Sequence, residues 1–176
     1  MIISDTPVSG AFLIRPERHE DERGFFARTY CSRELREHGI DPTVVQRSVS
    51  YNHTKGTLRG LHYQSTPGAE NKFVTCVRGS VFDVAVDIRP DSPTYRHWAA
   101  VTLTADGMET LFIPRGCAHG FITLSDGALV QYDISDYYVP ELAKGIRYDD
   151  PAFDVKWPLA PAVVNARDLG FPRFVG

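Results

Sequence analysis

The sequence has little cysteine and no marked excess of charge of either sign. Its three cysteines, Cys31, Cys76 and Cys117, are unevenly spaced and form no CxxC pair, so they outline neither a disulfide framework nor a zinc motif. Two interpretations of them remain open: buried core residues, which free cysteines usually are, or a reactive thiol. The 19 basic and 22 acidic residues give a formal net charge of −3, which is not typical of nucleic-acid-binding or membrane-binding proteins. A substrate that carries phosphates would therefore need a local cluster of Arg and Lys in a pocket.

Long apolar runs and nucleotide-binding glycine motifs are also absent from the sequence. No run approaches the roughly 20 apolar residues of a membrane-spanning helix. Residues 1–24 contain acidic side chains and lack the basic-then-apolar pattern of a secretion signal, so we expect a cytoplasmic protein. The sequence has neither GxGxxG nor GxxxxGK followed by Ser or Thr. The strand–helix alternation of a dinucleotide-binding fold is missing as well, which argues against nicotinamide-dependent and P-loop enzymes.

What the sequence contains instead is a series of short segments rich in β-branched and aromatic residues, separated by turns with Gly, Pro or charged residues. These segments cover residues 73–77, 81–88, 99–103, 110–113, 120–124 and 128–134. Such closely spaced strands predict an antiparallel sandwich or barrel. One short helix is predicted from Ser32 to His38, with Ser32 as its N-cap and Gly39 in the left-handed conformation after its end. No repeat or linker divides the chain, so we predict a single all-β domain over residues 1–176.

The segment from Val81 to Ile88 has an unusual alternation. Its even-numbered positions are all apolar, whereas Asp83 and Asp87 share the opposite face of the strand, since side chains alternate with a period of two. A solvated face would explain the two carboxylates, because Asp normally lies at the surface. A polar barrel interior is the alternative.

Two histidines lie in segments that could carry chemistry. The stretch from Gly56 to Gln64 contains Arg59 and His62, which would point to opposite faces of a flat strand unless a bulge at Gly60 brings them together. His119 follows a Pro-Gly turn in the stretch from Pro114 to Phe121. Two histidines on neighbouring strands of a small barrel first suggest a metal site.

The spacing does not favour a metal. A cupin metal site usually has His-x-His and a nearby Glu, whereas this chain reads His62-Tyr63-Gln64, with Glu70 further along. Two histidines and one remote carboxylate are a thin ligand set for a transition metal. Taken alone, either histidine could equally be a structural residue.

An ordered set of motifs resembles one known family. The motifs are LRGLHYQ, then Lys72, VRGSVFDVAVDIRPDSPTY, FIPRGCAHGF, SDYYVPE and DDPAFDVKWP. Together, from about Gly10 to Asp168, the chain is similar to the dTDP-4-dehydrorhamnose 3,5-epimerase family. The resemblance implies a cupin-type β jelly roll, that is a double-sheet barrel, with a few short peripheral helices. It also implies a homodimer, no metal or organic cofactor, and a nucleotide-diphosphate sugar as the substrate.

The resemblance also implies roles for individual residues. The general base falls on His62, the carboxylate that orients it on Asp168, the tyrosine acid on Tyr132, and the lysine near the keto oxygen on Lys72. Arg59 matches an arginine that holds the diphosphate, Arg23 one that reaches in from the partner subunit, and His119 a supporting pocket histidine. Further substrate contacts are expected at Phe26, Arg28, Gln46, Ser48, Gln64 and Tyr138.

These residue types suit removal of a proton beside a ketone. A neutral imidazole can take such a proton near pH 7, and a carboxylate can fix its tautomer. A lysine would face the developing oxyanion, and a tyrosine can deliver a proton to the opposite face. Two of these residues also have a simpler interpretation: Lys72 as a surface lysine and Tyr132 as a barrel aromatic. Tyr137 and Tyr138 are alternative candidates for a substrate contact.

Four positions depart from the pattern of the family. Arg28 stands where Glu is typical, Gln46-Arg47-Ser48 replaces Gln-Asp-Asn, and Asp133 follows Tyr132 where Lys or an apolar residue is more common. These departures concern the recognition of nucleotide and sugar, so CDP- and GDP-linked sugars stay open beside dTDP-linked ones. The predicted function is epimerisation at C3, C5 or both. A 3,4-ketoisomerase and a non-catalytic sugar-nucleotide-binding module are the alternatives.

Overall fold

The computed structural model describes residues 1–175. The strands are β1 (Ile2–Asp5), β2 (Phe12–Arg15), β3 (Arg18–Asp21), β4 (Gly24–Ala27), β5 (Gln46–Asn52), β6 (Thr57–Gln64), β7 (Lys72–Arg78), β8 (Ser80–Asp87), β9 (Trp98–Thr104), β10 (Thr110–Ile113), β11 (Cys117–Thr123), β12 (Ala128–Ile134), β13 (Ala143–Gly145) and β14 (Val163–Val164). The helices are α1 (Ser32–Glu37), α2 (Ala166–Leu169) and a 3-10 turn at Pro140–Leu142.

Two antiparallel sheets form the body of the fold. The first has the order β1-β2-β10-β7-β12-β5, and the second has the order β13-β6-β11-β8-β9, with β14 added parallel to β6. Strands β3 and β4 form a separate two-stranded sheet. The predicted all-β, double-sheet architecture is confirmed, and the predicted strand segments lie on β7 to β12, with Ile88 and Leu124 one residue beyond the ends of β8 and β11.

The main core is formed by side chains from both sheets. Val74 and Val130 of the first sheet belong to the same buried cluster as Val81, Ala85 and Phe121 of the second. Burial of such side chains away from water is the principal force that holds two sheets face to face.

The second sheet is covered on its other side too. Val84 and Val86 of β8 pack with Ile146 and Phe153 from the C-terminal part of the chain. Both faces of β8 are therefore buried, and Asp83 is 0% exposed. A solvated face for this strand is thus wrong, because the C-terminal segment covers one side and the opposite sheet covers the other.

Helix α1 packs on the outer face of the first sheet. Its Leu35, together with Ile40, joins the buried cluster of Phe73 and Phe112. The prediction of Ser32 as N-cap is wrong: Cys31 is the N-cap, with extended φ −150° and ψ 110°, and no side chain caps the helix. Ser32 is already helical, so it is not in the extended conformation from which an N-cap hydroxyl reaches the first free N–H groups. Gly39 has the predicted left-handed conformation, with φ +72°.

Within residues 1–175, no helix is long enough and apolar enough to cross a membrane.

Candidate active site

A cavity between the two sheets collects most of the polar residues singled out by the sequence. It is lined by Ser50, Arg59, His62, Lys72, His119, Phe121 and Tyr132. Ser50, Lys72 and Tyr132 come from the first sheet, and the other four come from the second. The structure thus brings together His62, Lys72, His119 and Tyr132, as the sequence predicts.

A bulge at Gly60 places Arg59 and His62 in the same cavity. His119 pairs with His62 and Phe121 pairs with Arg59, so three steps along β6 correspond to two along β11. Gly60 has φ +128°, and a Cβ there would lie 2.5 Å from the Cα of Gly120. Only glycine fits this conformation and this contact. The bulge expected from the odd spacing of Arg59 and His62 is confirmed.

His62 is held by a buried carboxylate. Its Nε2 lies 2.9 Å from Oδ1 of Asp168, while the imidazole side chain remains 41% exposed and the Asp168 side chain is 1% exposed. Burial by itself would raise the pKa of Asp168, but hydrogen bonds from His62 and from the Gly60 N–H keep that pKa below its ordinary value. An ionised Asp168 can only accept, so Nε2 carries the proton and Nδ1 is left as the basic nitrogen.

Asp168 owes its position to the short helix α2. Asn165 is the N-cap of this helix, and its Oδ1 accepts a 2.7 Å hydrogen bond from the Asp168 N–H. Arg147 donates a 2.6 Å hydrogen bond to the carbonyl of Leu169 in the same helix. The carboxylate is therefore fixed from both ends of α2.

Lys72 is held by a chain of buried polar groups. Its Nζ lies 2.5 Å from Oε1 of Glu70, and the two side chains are 11% and 6% exposed. Oε2 of Glu70 accepts a 2.9 Å hydrogen bond from Nε2 of Gln64. The carbonyl oxygen of the same amide accepts the backbone N–H of Val139 at 2.7 Å. The Gln64 amide thus contacts protein groups through both its nitrogen and its oxygen, and it links Lys72 to the segment that carries Tyr138.

Tyr132 reaches the cavity from the opposite sheet to His62. Its hydroxyl lies 3.0 Å from the Oγ of Ser50. Burial raises the pKa of Tyr132 well above its ordinary value, and the hydrogen bond with Ser50 offsets only part of that effect. The phenol therefore stays protonated at neutral pH and can serve as a proton donor.

His119 belongs to a second histidine–carboxylate pair. Its Nε2 lies 2.7 Å from Oδ1 of Asp83, and both side chains are nearly inaccessible to solvent. Its ring packs edge to face on Tyr132, with 5.9 Å between the ring centroids. Within residues 1–175, Oδ2 of Asp83 has no hydrogen-bond partner.

A second pocket adjoins the cavity, and the two share His62 and Lys72. It is lined in addition by Tyr63, Gln64, Glu70, Ile134, Tyr138, Ala143, Lys144 and Arg167. The two pockets together present the cations Arg59, Lys72, Lys144 and Arg167. This is the local basic cluster that a phosphate-bearing substrate needs in a protein with a net charge of −3.

The other predicted substrate contacts line neither pocket. Arg23 and Phe26 lie on the β3–β4 hairpin, where the Arg23 side chain is 83% exposed and Phe26 is 71% exposed. Arg28 pairs with Glu34 beside α1. Gln46 accepts the N–H of Tyr138 through its Oε1 at 2.7 Å. Exposed Ser48 is the cross-strand partner of Tyr132.

Two of the departures from the family pattern are explained by each other. Arg47 and Asp133 are cross-strand partners, and the guanidinium donates two hydrogen bonds to the carboxylate, of 2.5 and 3.1 Å. Both side chains line a groove on the outer face of the first sheet, away from the cavity. The two side chains therefore pair with each other and do not line the cavity.

Several residues of the site were missed by the sequence reasoning. Ser50 and Asn52 hold Tyr132 and Arg59, since Oδ1 of Asn52 accepts a 2.7 Å hydrogen bond from Arg59. Both could have been found, because alternation along β5 puts Gln46, Ser48, Ser50 and Asn52 on one polar face. Phe171, whose ring packs on His62, gave no local signal.

No cluster of three or more His, Cys, Asp and Glu side chains is placed to hold a metal ion in residues 1–175. Glu70, the carboxylate considered for such a site, instead contacts Lys72 and Gln64.

Comparisons with known proteins show which family the chain belongs to. The sequence profile described as dTDP-4-dehydrorhamnose 3,5-epimerase matches residues 5–175. A protein of that name from Neisseria gonorrhoeae is 45% identical over 170 residues, or 96% of this chain, and the chain spans about half (51%) of that relative's length. The structure of the dTDP-4-dehydrorhamnose 3,5-epimerase from Elizabethkingia anophelis is similar with a TM-score of 0.95 at 33% identity, covering 99% of this chain and 96% of that one.

A further solved structure contains a ligand. The dTDP-6-deoxy-D-glucose-3,5-epimerase from Legionella pneumophila, in complex with dTDP-4-keto-L-rhamnose, is 39% identical with a TM-score of 0.90, covering 98% of this chain and 92% of that one. The predicted jelly-roll fold is confirmed by these similarities. With the whole of the two-sheet architecture and residues 5–175 matched, the chain belongs to the dTDP-4-dehydrorhamnose 3,5-epimerase family, whose named members are isomerases that act on carbohydrates.

Proposed function

We propose that this protein epimerises a dTDP-linked 4-keto-6-deoxyhexose at C3 and C5, with His62 as base and Tyr132 as acid. The observation that supports this most strongly is the arrangement of the cavity. An imidazole with a buried carboxylate behind it and a protonated phenol come from opposite sheets, and Lys72 lines the space between them. The named relatives, one of them holding dTDP-4-keto-L-rhamnose, support the same substrate class.

The proposed reaction moves one proton on each face of the sugar. Nδ1 of His62 removes the hydrogen from the carbon beside the ketone, and the electron pair moves onto the keto oxygen. Lys72 stabilises the resulting oxyanion, and the ionised Asp168 stabilises the imidazolium. Tyr132 then protonates the same carbon from the other side, which inverts it. Return of a proton from His62 to solvent and from solvent to Tyr132 restores the enzyme. The second carbon follows in the same way.

Isotope exchange distinguishes this function from the alternatives. The protein would be incubated with dTDP-4-keto-6-deoxyglucose in deuterated water, and label would be located by NMR. Label at C3 and C5 supports double epimerisation, and label at one carbon indicates a mono-epimerase. A shift of the carbonyl to C3 indicates a ketoisomerase, and the absence of label at both carbons argues against enolisation of this substrate. Parallel reactions with CDP- and GDP-linked sugars test the nucleotide.

Variants then assign the two proton-transferring groups. His62→Asn should lower both exchange and epimer formation by roughly two to four orders of magnitude, because a positioned base is lost. With Tyr132→Phe, His62 should still exchange the substrate's hydrogen with solvent on its own face, so label enters unreacted substrate. Epimer formation should fall more than this exchange does. His97→Asn, at an exposed histidine, is the control. Epimer formation by Tyr132→Phe at the wild-type rate would contradict the assignment and point to Tyr138.

We also propose a homodimer in which the β3–β4 hairpin reaches the partner's cavity. The hairpin lies outside both main sheets, and it exposes Arg23 beside Phe25 and Phe26, which are 46% and 71% exposed. A cation beside aromatic rings suits a phosphate and a stacked base. Within one chain these residues line neither pocket, so a neighbouring molecule would have to supply them.

The cytoplasmic location and the indifference of activity to chelating agents remain predictions.

A further inference from the structure

Phe171 lies against the imidazole of His62. The two rings meet edge to face, with 5.6 Å between centroids and 77° between planes. Phe171 follows α2, which carries Asp168, and its N–H reaches the carbonyl of Asp168. The base is therefore contacted twice by the same short segment, once through a hydrogen bond and once through a ring.

The space for this ring is provided by a glycine. Gly145 on the edge strand β13 is the direct cross-strand partner of His62, so any side chain there would be its nearest neighbour on that face. A Cβ at Gly145 would overlap the Phe171 ring. The aromatic ring thus takes the place that a cross-strand side chain would have.

We infer that Phe171 is a positioning residue for the base, and that Gly145 is required because it leaves room for that ring. The inference rests on the proposed role of His62. The hydrogen bond to Asp168 restrains only one nitrogen of the imidazole, which can still rock about that bond. The Phe171 ring blocks this motion on one side and keeps Nδ1 aimed at the substrate.

The first expectation concerns kcat. Phe171→Ala should lower kcat on the order of 10- to 100-fold, because displacement of a reacting group by about 1 Å costs that much. KM should change little, since the ring is not proposed to contact the substrate. Solvent exchange at the sugar carbons should fall in the same proportion as kcat. Phe171→Tyr keeps the ring and should retain activity close to that of the wild type.

The second expectation concerns the pair of residues. Gly145→Ala should displace the ring and lower kcat much as Phe171→Ala does. In the double variant, Gly145→Ala should have no further effect, because the ring that it displaces is already gone. If Gly145→Ala acted independently of the Phe171 ring, the two losses would instead add.

The experiment measures kcat, KM, exchange and thermal unfolding for the wild type and all variants. Phe174→Ala is the matched control, since Phe174 lies in the same segment but packs on Phe153, with 5.0 Å between centroids. It should leave kcat unchanged. If Phe171→Ala does not fold, comparison of Phe171→Leu with Phe171→Tyr replaces it, and only the variant with a ring should be active.

The outcomes separate this inference from the proposed function. An inactive His62→Asn with a fully active Phe171→Ala would overturn the inference alone. So would additive losses in the double variant, a loss confined to KM, or an equal loss in Phe174→Ala. An active His62→Asn would instead refute the proposed function.

Discussion

Asp87 accepts hydrogen bonds from Arg89, Ser92 and Thr94 in the interior of the protein. Burial acts to raise its pKa, but these donors prevail and leave the pKa far below its ordinary value. Asp83, four residues earlier on the same strand, is hydrogen-bonded to His119, which lines the cavity. The same residue type therefore stabilises the fold at one position and belongs to the site at the other.

The stability contributed by Asp87 should depend on pH. Since its folded pKa is depressed, its contribution is present above the unfolded pKa of about 3.9 and is lost as pH falls toward the folded pKa. Asp87→Asn should cost about 3 kcal/mol at pH 7, because Arg89 loses its charge partner, and the gap to the wild type should narrow toward pH 3. Urea unfolding at both pH values measures this, with exposed Asp91→Asn as control. A gap independent of pH would contradict the prediction.

The bulge of β6 is the element on which the site depends most directly. Gly60→Ala would place a Cβ against Gly120, so the bulge must open or the strands must separate. Arg59 and His62 would then leave their common cavity. We expect activity to fall at least 100-fold, as reacting groups lose their alignment, and the melting temperature to fall as well.

Gly39→Ala is the control for the Gly60 experiment. Gly39 also has positive φ, but a Cβ there would meet nothing within 4 Å. It tests the cost of the backbone conformation apart from the contact. Equal loss of activity in both variants would show that strain, and not the geometry of the bulge, is responsible.

Local patterns predicted the strands well but not their surroundings. The alternation of β8 indicated two faces, yet it could not show that the C-terminal segment buries one of them, because that contact is made by residues distant in sequence. The spacing of Arg59 and His62 required a bulge, and Gly60 identified its place. Asp168 was found only through resemblance, since a four-residue helix has no periodicity. The contact between Gly145 and Phe171 could not be predicted either, because the two residues are distant in sequence.

At the scale of the whole molecule, the proposed dimer makes a testable prediction. Chains with Arg23→Ala and chains with His62→Asn would be co-expressed with different tags, and mixed dimers would be purified through both tags. One of the two sites then combines an intact His62 with an intact Arg23 from the partner, so activity should recover to about half that of the wild type. Each variant alone should be impaired. No recovery in the mixed dimer, or a fully active monomer in sedimentation, would contradict the shared site.

The separation of His62 from Asp168 in the chain has a consequence for the synthesis of the protein. His62, the proposed base, and Asp168, which binds its imidazole, are 106 residues apart, and the last strands of the second sheet, β13 and β14, end at Gly145 and Val164, before α2 begins. A ribosome therefore completes both main sheets before it adds the carboxylate. A chain that is released or cut between Gly145 and Asp168 keeps the strands that line the cavity but lacks the carboxylate that binds His62. Activity thus reports that synthesis has passed Asp168.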